Sequence, residues 1–171
     1  MKKESLIVVR GPIGVGKSSV CTALHARLAS SASVVETDAI KRMIDPTASS
    51  PWRRDIAHAS AAFIIERLLQ VPRTGIIEMH SKYPGELDKL RVIANKLDVP
   101  LVSVLLIAPL EICQQRAAGR IVPNIGYAID EQMVADYYCN LEPQTGDVVY
   151  DTATLSAADI SFDVVQTMAR H

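Results

Sequence analysis

Short runs of aliphatic and β-branched residues alternate along the chain with longer stretches in which apolar residues recur at helical spacing. The short runs predict five strands, at residues 6–9, 33–36, 75–78, 101–107 and 148–150. The run from Leu101 to Ile107 is almost wholly apolar, which is typical of a parallel strand covered on both faces. Because predicted strands and helices alternate regularly, we expect an α/β fold with right-handed crossovers and a parallel sheet.

The longer stretches predict the helices. One begins at about Gly16, one covers about residues 54–70, one begins near Pro84, one runs from Pro109 to about Gly119, and one follows Ser156. The helix over 54–70 is predicted from the helical spacing of Ile56, Phe63, Ile64 and Leu68, and the helix after Pro84 should bury Leu87, Leu90, Ala94 and Leu97. Ser156 and Asp159 have the spacing of a capping box, which favours a helix start at that point.

Composition sets broad limits on the class of protein. A chain of 171 residues suits one domain, which we expect to span residues 1–171. The net charge of -1 argues against an extended electrostatic grip on nucleic acid. Cys21, Cys113 and Cys139 are an odd number with no CxxC pair, so we expect reduced, buried thiols in a cytoplasmic protein. The first apolar run is too short for a signal peptide or a membrane span, so we expect no membrane association.

The sequence Gly11-Pro12-Ile13-Gly14-Val15-Gly16-Lys17-Ser18 matches the phosphate-binding pattern GxxxxGK[ST] between a predicted strand and a predicted helix. Glycines let the backbone curl so that successive N–H groups point inward, and the helix N-terminus adds partial positive charge. Lys17 would place a full charge on the outer phosphates, and the Ser18 hydroxyl would bind Mg²⁺. The sequence therefore predicts binding of ATP or GTP with Mg²⁺. The predicted nucleotide-binding residues are Gly11, Ile13, Gly14, Val15, Gly16, Lys17, Ser18 and Ser19.

A P-loop alone does not distinguish kinases from GTPases and motor ATPases. GTPases use an NKxD sequence to read the base, and the chain carries these letters at Asn95-Lys96-Leu97-Asp98, at the end of the helix predicted after Pro84 and before the fourth strand, not after a strand. The third predicted strand ends Ile76-Ile77-Glu78-Met79, which is a poor match to the strand of large ATPases, and the chain is too short for an AAA-type module with a helical lid domain. The small phosphotransferases remain.

Asp38 lies just after the second predicted strand, where a carboxylate would face the phosphate loop. There it could accept the proton of a substrate hydroxyl, while Lys41 or Arg42 holds an anionic substrate. The alternative is that Asp38 is the N-cap of a helix beginning at Ala39, and the two interpretations can coexist.

Arg116 and Arg120 lie about one turn apart at the end of the helix that follows the fourth strand. One guanidinium could stack on adenine while the other stabilises charge on the phosphates. The alternative is that cations simply favour a helix C-terminus. The irregular stretch 119–128, with Pro123 and Gly126, is predicted to be a short lid that excludes water.

Four segments in order, GPIGVGKSS, TDAIKR, APLEICQQRAAGR and LEPQTGDVVYDTATLSAADI, resemble the small P-loop kinases of the polynucleotide-kinase-like, gluconate-kinase-like and chloramphenicol-phosphotransferase-like group. The resemblance implies a three-layer P-loop NTPase fold, with a five-stranded parallel sheet of order 2-3-1-4-5 and helices on both faces. It implies ATP and Mg²⁺ as cosubstrates in the phosphorylation of a hydroxyl group. Asp38 matches the general base and Lys41 a substrate-binding arginine, while Arg116 and Arg120 match the adenine-side and lid arginines. Glu36, by similarity to the DxD of shikimate kinases, is a candidate Mg²⁺ ligand.

The chain departs from this group after the third strand, where it has Glu78-Met79-His80-Ser81-Lys82-Tyr83. Glu78 could contact Mg²⁺ through water, and His80 or Lys82 could contact substrate; for His80 the alternative is a hydrogen-bonded loop histidine. The segment 51–54, Pro-Trp-Arg-Arg, could contact substrate or be an exposed helix start.

Together these features predict an ATP- and Mg²⁺-dependent kinase that phosphorylates a hydroxyl group of a small molecule. The alternatives are a polynucleotide 5′-hydroxyl kinase, less favoured by the net charge, and a nucleotide-binding regulatory or toxin-like module that turns over no metabolite. The acceptor and the oligomeric state are not readable from the sequence.

Overall fold

The computed structural model describes residues 4–46, 50–118 and 129–169. The described residues contain one parallel sheet of five strands in the order β2-β3-β1-β4-β5, as the resemblance implies. The strands are β1 (Leu6–Gly11), β2 (Ala32–Glu36), β3 (Thr74–His80), β4 (Leu101–Ile107) and β5 (Asp147–Asp151). Every predicted strand is therefore confirmed, each with one or more residues added at its ends except β4.

Seven α-helices connect these strands in the described residues. They are α1 (Lys17–Leu28), α2 (Thr37–Ile44), α3 (Pro51–Leu68), α4 (Pro84–Lys96), α5 (Leu110–Ala118), α6 (Glu131–Cys139) and α7 (Ala157–Met168). The capping box at Ser156 and Asp159 is present at the start of α7. Helix α6 has no counterpart among the sequence predictions; it begins after Asp130, whose carboxylate accepts a hydrogen bond from the Met133 amide.

Two apolar clusters cover the two faces of the sheet and make three layers. Val9 and Leu106 pack with Leu24 of α1 and Ile160 of α7 on one face. Leu6 and Val8 pack with Ile65 of α3 and Leu87 of α4 on the other. Because both faces are covered, the strands are buried throughout their centre, which explains the near-continuous apolar run in β4.

Helix α3 is present, but most of the residues whose spacing predicts it do not form its buried face. Ile56 and Phe63 are 48% and 57% exposed, whereas Ala57, Ala61 and Ile65 face the sheet. A Cβ placed on Gly75 of β3 would lie 3.2 Å from Ile65 Cδ1, so helix and strand approach closely here. Small side chains suit this close packing, and residue size therefore decides which face of an apolar helix turns inward.

Three further sequence expectations are settled or limited by the structure. Cys21 and Cys113 are buried free thiols as expected, but Cys139 is exposed, because it lies at the C-terminal end of α6 on the surface. The predicted lid at 119–128 lies outside the described residues. None of the helices in the described ranges combines the length and apolar character needed to cross a bilayer.

A buried ion pair joins β1 to β5. Arg10 Nη2 lies 2.5 Å from Asp147 Oδ2, and both side chains are almost fully buried. Asp147 also accepts hydrogen bonds from Ser103 Oγ and from the Gln144 amide. Burial lowers the pKa of Arg10, and the Asp147 charge opposes that shift. Arg10 Nε and Nη1 have no hydrogen-bond partner among the described residues, so Asp147 alone compensates the buried charge of Arg10.

Asp147→Asn should therefore lower the free energy of unfolding by about 3–5 kcal/mol, because it leaves the Arg10 charge buried without a counterion. Urea unfolding followed by circular dichroism measures this. The matched control is Asp88→Asn, which breaks the exposed pair with Arg91 and should cost less than about 1 kcal/mol. Equal losses in the two variants would contradict a special role for the buried pair.

Candidate active site

The phosphate loop follows β1 and takes a shape that only glycine tolerates at two positions. Gly14 and Gly16 have φ values of 79° and 103°, in the left-handed region. A Cβ on Gly14 would also lie 2.1 Å from the carbonyl oxygen of Cys113 in α5. Gly16 precedes the first residue of α1, so the helix N-terminus opens directly onto the loop.

Lys17 and Ser18 are the first two residues of α1. Lys17 is 6% exposed, and its Nζ donates to the Pro12 carbonyl at 2.7 Å, so the ammonium group lies against the loop itself. Among the other predicted nucleotide-binding residues, Gly11, Ile13 and Val15 are buried in the loop and Ser19 is exposed on the first turn of α1. The predicted residues of this segment therefore form one continuous cradle.

Asp38 lies in the first turn of α2, immediately beyond the end of β2. The helix begins at Thr37 with Glu36 in the N-cap position, so the interpretation of Asp38 as N-cap of a helix beginning at Ala39 is wrong. Its half-exposed carboxylate instead accepts from Lys41 Nζ at 2.8 Å and lies 3.4 Å from His80 Nε2. Partial burial would raise the pKa of Asp38, but His80 and Lys41 outweigh that effect and hold it well below its ordinary value. Asp38 is therefore an ionised carboxylate at neutral pH.

His80 is the last residue of β3, not a loop residue, and it connects Asp38 to the phosphate loop. In the sheet it pairs with Gly11, and the next residue, Ser81, donates its amide to the Gly11 carbonyl. Burial, with the charge of Lys17, lowers the pKa of His80 to about 4, so the imidazole is neutral near pH 7. A neutral imidazole can donate from Nε2 to Asp38, and that donation fixes the orientation of the carboxylate.

Glu78 of β3 is the carboxylate that the structure places at the loop. Ser18 Oγ donates to Glu78 Oε1 at 3.2 Å, while the buried Oε2 has no partner among the described residues. Burial raises the pKa of Glu78, against the opposing charge of Lys17. A hydroxyl beside a buried carboxylate with an unused oxygen fits Mg²⁺, which prefers oxygen ligands and few protein groups. Glu36, the ligand predicted from sequence, is exposed at the end of the neighbouring strand β2, where it pairs with Glu78 in the sheet register.

A cavity of about 300 Å³ opens on the outer side of the loop. Its walls come from the loop and α1 (Val15, Gly16, Ser19 and Val20), from Arg116, and from the segment after β5 (Thr152 and Leu155) continuing into α7. Arg116 donates to the Thr152 hydroxyl at 2.9 Å and to its carbonyl at 2.8 Å. The structure thus brings Arg116 to the loop, whereas Arg120 lies outside the described residues and stays a sequence prediction. Sequence reasoning did not single out Thr152, although its position just past a strand's carboxyl end is a usable signal.

A second cavity, of about 210 Å³, has in its wall Lys41, the lysine that contacts Asp38. Its wall contains Lys41 of α2, Arg53 and Arg54 of α3, Tyr83 after β3, and Tyr137 of α6. Tyr137 packs edge-on against His80 with ring centroids 4.7 Å apart, and its hydroxyl lies 3.4 Å from that of Tyr83. Arg42 is also on α2, but it does not line this cavity. Lys82, another candidate substrate contact, pairs with Asp136 of α6. Sequence reasoning missed Tyr137 because α6 itself was not predicted, and it named Tyr83 only as part of the segment after the third strand.

The fold and the loop together define a P-loop domain with a kinase-like arrangement of strands and helices. The chain belongs to the AAA_33 family, described as an AAA domain, whose profile matches residues 6–142. The match is to an AAA domain, so the exclusion of AAA-type modules on chain length applies to modules with a helical lid domain and not to this family. The matched residues run from β1 past α6 and therefore include the phosphate loop and strands β1 to β4. A search of curated protein sequences returned no significant match.

Solved structures with the same fold include several kinases. The chain is similar to a gluconokinase from Sinorhizobium meliloti (21% identity, 99% and 94% of the two chains covered, TM-score 0.70). It is similar to the APS kinase of Mycobacterium tuberculosis solved with AMPPNP and APS (17%, 100% of both chains, TM-score 0.73). It is also similar to a tunicamycin resistance protein from Deinococcus radiodurans (17%, 96% and 95%, TM-score 0.69). At these identities the similarity establishes the fold.

The buried neutral His80 predicts an acid-sensitive fold. Its pKa is about 6.5 in an unfolded chain and about 4 in the folded protein, so the unfolded state binds more protons between these values. The free energy of unfolding should therefore fall as the pH drops from about 6.5 to about 4, by up to about 3 kcal/mol from this group. His80→Gln keeps an amide donor for Asp38 but removes the titration, so its decline over this range should be shallower.

Urea unfolding at a series of pH values from 4 to 7.5 provides the test. His58 titrates in both proteins, so the difference between the two curves reports on His80 together with Asp38, whose pKa His80 lowers. His25→Gln, on the exposed side of α1, is the matched control and should follow the wild-type curve. Parallel curves for wild type and His80→Gln would show that His80 is not held neutral by the fold.

Proposed function

We propose that this protein is a kinase that transfers the γ-phosphoryl group of ATP to a hydroxyl group of a small molecule. The observation that carries the proposal is the connection from the phosphate loop to an ionised carboxylate. Gly11 pairs with His80 at the carboxyl ends of β1 and β3, and His80 contacts Asp38. A nucleotide-binding protein without an acceptor has no need of an oriented carboxylate at that place, whereas a kinase uses one to orient the attacking hydroxyl.

The donor half of the proposed reaction uses the loop, Lys17 and the 300 Å³ cavity. The loop amides and the α1 N-terminus would bind the phosphates, and Lys17 would stabilise negative charge on the outer ones. Arg116 and Thr152 would border the adenine. ATP is preferred to GTP on the resemblance. The similarity to kinase structures, one of them solved with AMPPNP, supports this half.

Ser18 and Glu78 are the residues that would hold Mg²⁺. When bound, Mg²⁺ neutralises phosphate charge during transfer. The ionised Asp38 would accept a hydrogen bond from the acceptor hydroxyl and take its proton as the bond to phosphorus forms. Because transfer from ATP is largely dissociative, a carboxylate with a low pKa suffices for this purpose: orientation contributes more than basicity.

Lys17→Ala should lower kcat/KM about 100-fold or more, because it removes the charge closest to the transferred group, while the circular dichroism spectrum stays unchanged. A coupled assay of ADP release with an active acceptor measures it. Lys89→Ala, an exposed lysine on α4, is the matched control and should keep wild-type turnover. Wild-type turnover in Lys17→Ala would exclude the loop as the donor site.

Asp38→Asn should lower kcat by about 100- to 10,000-fold while the affinity for ATP changes less than about threefold, because its proposed partner is the acceptor. Steady-state kinetics together with calorimetric titration of ATP separate the two effects, with Asp88→Asn as control. If the variant instead loses ATP binding alone, Asp38 belongs to the donor site. If no acceptor stimulates ADP release and Asp38→Asn changes nothing, the protein is a nucleotide-binding regulatory module.

A further inference from the structure

Three cations, from α2 and α3, line the cavity near Asp38. Two links place Asp38 at this cavity: Lys41 lines it and contacts Asp38 Oδ1, and Tyr137 lines it and packs on His80. The other cations in the wall are Arg53 and Arg54, at the N-terminal end of the 18-residue helix α3. The partial positive charge of that helix end adds to theirs.

Arg53 is the unusual member of the wall. Its side chain is almost fully buried, and its Nη1 donates to the carbonyl oxygen of Asp45. Within the described residues it contacts no carboxylate, whereas Lys41 pairs with Asp38 and Arg54 pairs with Asp55. A buried guanidinium without a counterion is destabilising, and an anion in the cavity would compensate it.

A second buried polar group points to the same occupant. Ser50 Oγ, which precedes α3 and lines the cavity, is buried and has no hydrogen-bond partner among the described residues. Ser50 is the N-cap residue of α3, but its side chain makes no capping hydrogen bond, so its hydroxyl is unused by the helix. Buried polar groups are normally satisfied, and a ligand oxygen would satisfy this one.

The size and the walls of the cavity limit the occupant further. A volume of about 210 Å³ is below the range of ~300–1,000 Å³ that is usual for drug-sized ligands, so the occupant is small. The Arg54 guanidinium lies over the Tyr83 ring, 5.0 Å from its centroid, and this cation–π contact orients the Arg54 side chain. The cavity is thus a preformed cationic pocket with polar aromatic walls.

We propose that the phosphate acceptor is a small hydroxy acid, a compound that bears both a hydroxyl and an anionic group, and that Arg53 binds the anionic group. The anion lies between Arg53, Ser50 and Arg54, and the hydroxyl points to Asp38. This inference rests on the proposed kinase function and names the substrate class of the same site. It excludes neutral sugars and neutral antibiotics as preferred acceptors, and a polynucleotide end is disfavoured by the size of the cavity.

The first test uses the unaltered protein and matched pairs of acceptors that differ only in charge. With saturating ATP and Mg²⁺, ADP release is measured for hydroxy acids and their primary amides, such as gluconate and gluconamide or glycerate and glyceramide. Phosphate and sulfate monoesters of diols are included to identify which anion the pocket takes. We expect acids to exceed amides in kcat/KM by about 10- to 100-fold, the value of one charged hydrogen-bonding contact. Amides or neutral alcohols used as well as acids, or a preference for an oligonucleotide 5′-hydroxyl, would overturn the proposal.

The second test compares Arg53→Gln and Arg53→Lys with Arg67→Gln, an exposed arginine on the same helix. Arg53→Gln should raise KM for the acids at least 10-fold and lower the acid-over-amide ratio of kcat/KM by the same factor. Arg53→Lys should recover part of the acid-over-amide ratio, and Arg67→Gln should keep all of it. An Arg53→Gln protein with the wild-type ratio would show that Arg53 only ties α3 to Asp45.

A binding measurement separates failure of this inference from failure of the proposed kinase function. The donor site is first saturated with ADP and Mg²⁺, which occupy the α- and β-phosphate positions, and the comparison with Arg53→Gln below distinguishes sulfate at the remaining γ-phosphate position from sulfate in the pocket. Sodium sulfate is then titrated calorimetrically into wild type and into Arg53→Gln. Binding to the wild type that is lost in the variant supports the pocket even if no acceptor is turned over. Absence of sulfate binding to the ADP-saturated wild type contradicts it.

Discussion

The parallel pairing of β1 with β3 is the constraint on which the site depends. It sets Gly11 opposite His80 and Val9 opposite Glu78, so the end of β3 lies beside the start of the phosphate loop. Because β2 pairs with β3 in parallel, the first turn of α2, which carries Asp38, lies at the same carboxyl end of the sheet. Three segments far apart in the chain are thereby fixed within contact distance by backbone hydrogen bonds, before any side chain contributes.

The electrostatics of the site follow from this closeness. Lys17 and Lys41 both lie near His80, and a protonated imidazole there would add a further buried positive charge. The imidazole therefore stays neutral and acts as a hydrogen-bond donor to Asp38. The same surroundings separate the two carboxylates: Asp38, held by Lys41 and His80, has a lowered pKa, while burial raises the pKa of Glu78. Asp38 is therefore the ionised carboxylate of the two, and a cation bound beside Glu78 would lower the pKa of Glu78 in turn.

The two cavities on either side of the loop are built from different kinds of segment. The outer one uses Val15 of the loop and Thr152 after β5, and the Thr152 hydroxyl donates to the Val15 carbonyl at 2.7 Å. The inner one uses α2, α3 and α6, the helices near the C-terminal end of β3, together with Tyr83. Its chemistry therefore depends on side chains such as Arg53 and Tyr137, which can vary without disturbing the loop. A kinase fold can in this way keep its donor site and change its acceptor.

The sequence by itself determined the features whose residues are contiguous. The phosphate loop is readable because eight neighbouring residues carry its whole geometry, and the strands are readable because a buried parallel strand is apolar along its length. The sheet order came from resemblance, since periodicity does not reveal which strands pair. Only the tertiary structure decided that Glu78 contacts Ser18, that Asp38 is held by His80, and that Arg53 is buried beside them. These contacts join residues tens of positions apart, and which helix faces meet is set by packing: on α3 the small Ala57 and Ala61 turn inward and the larger Phe63 remains outside.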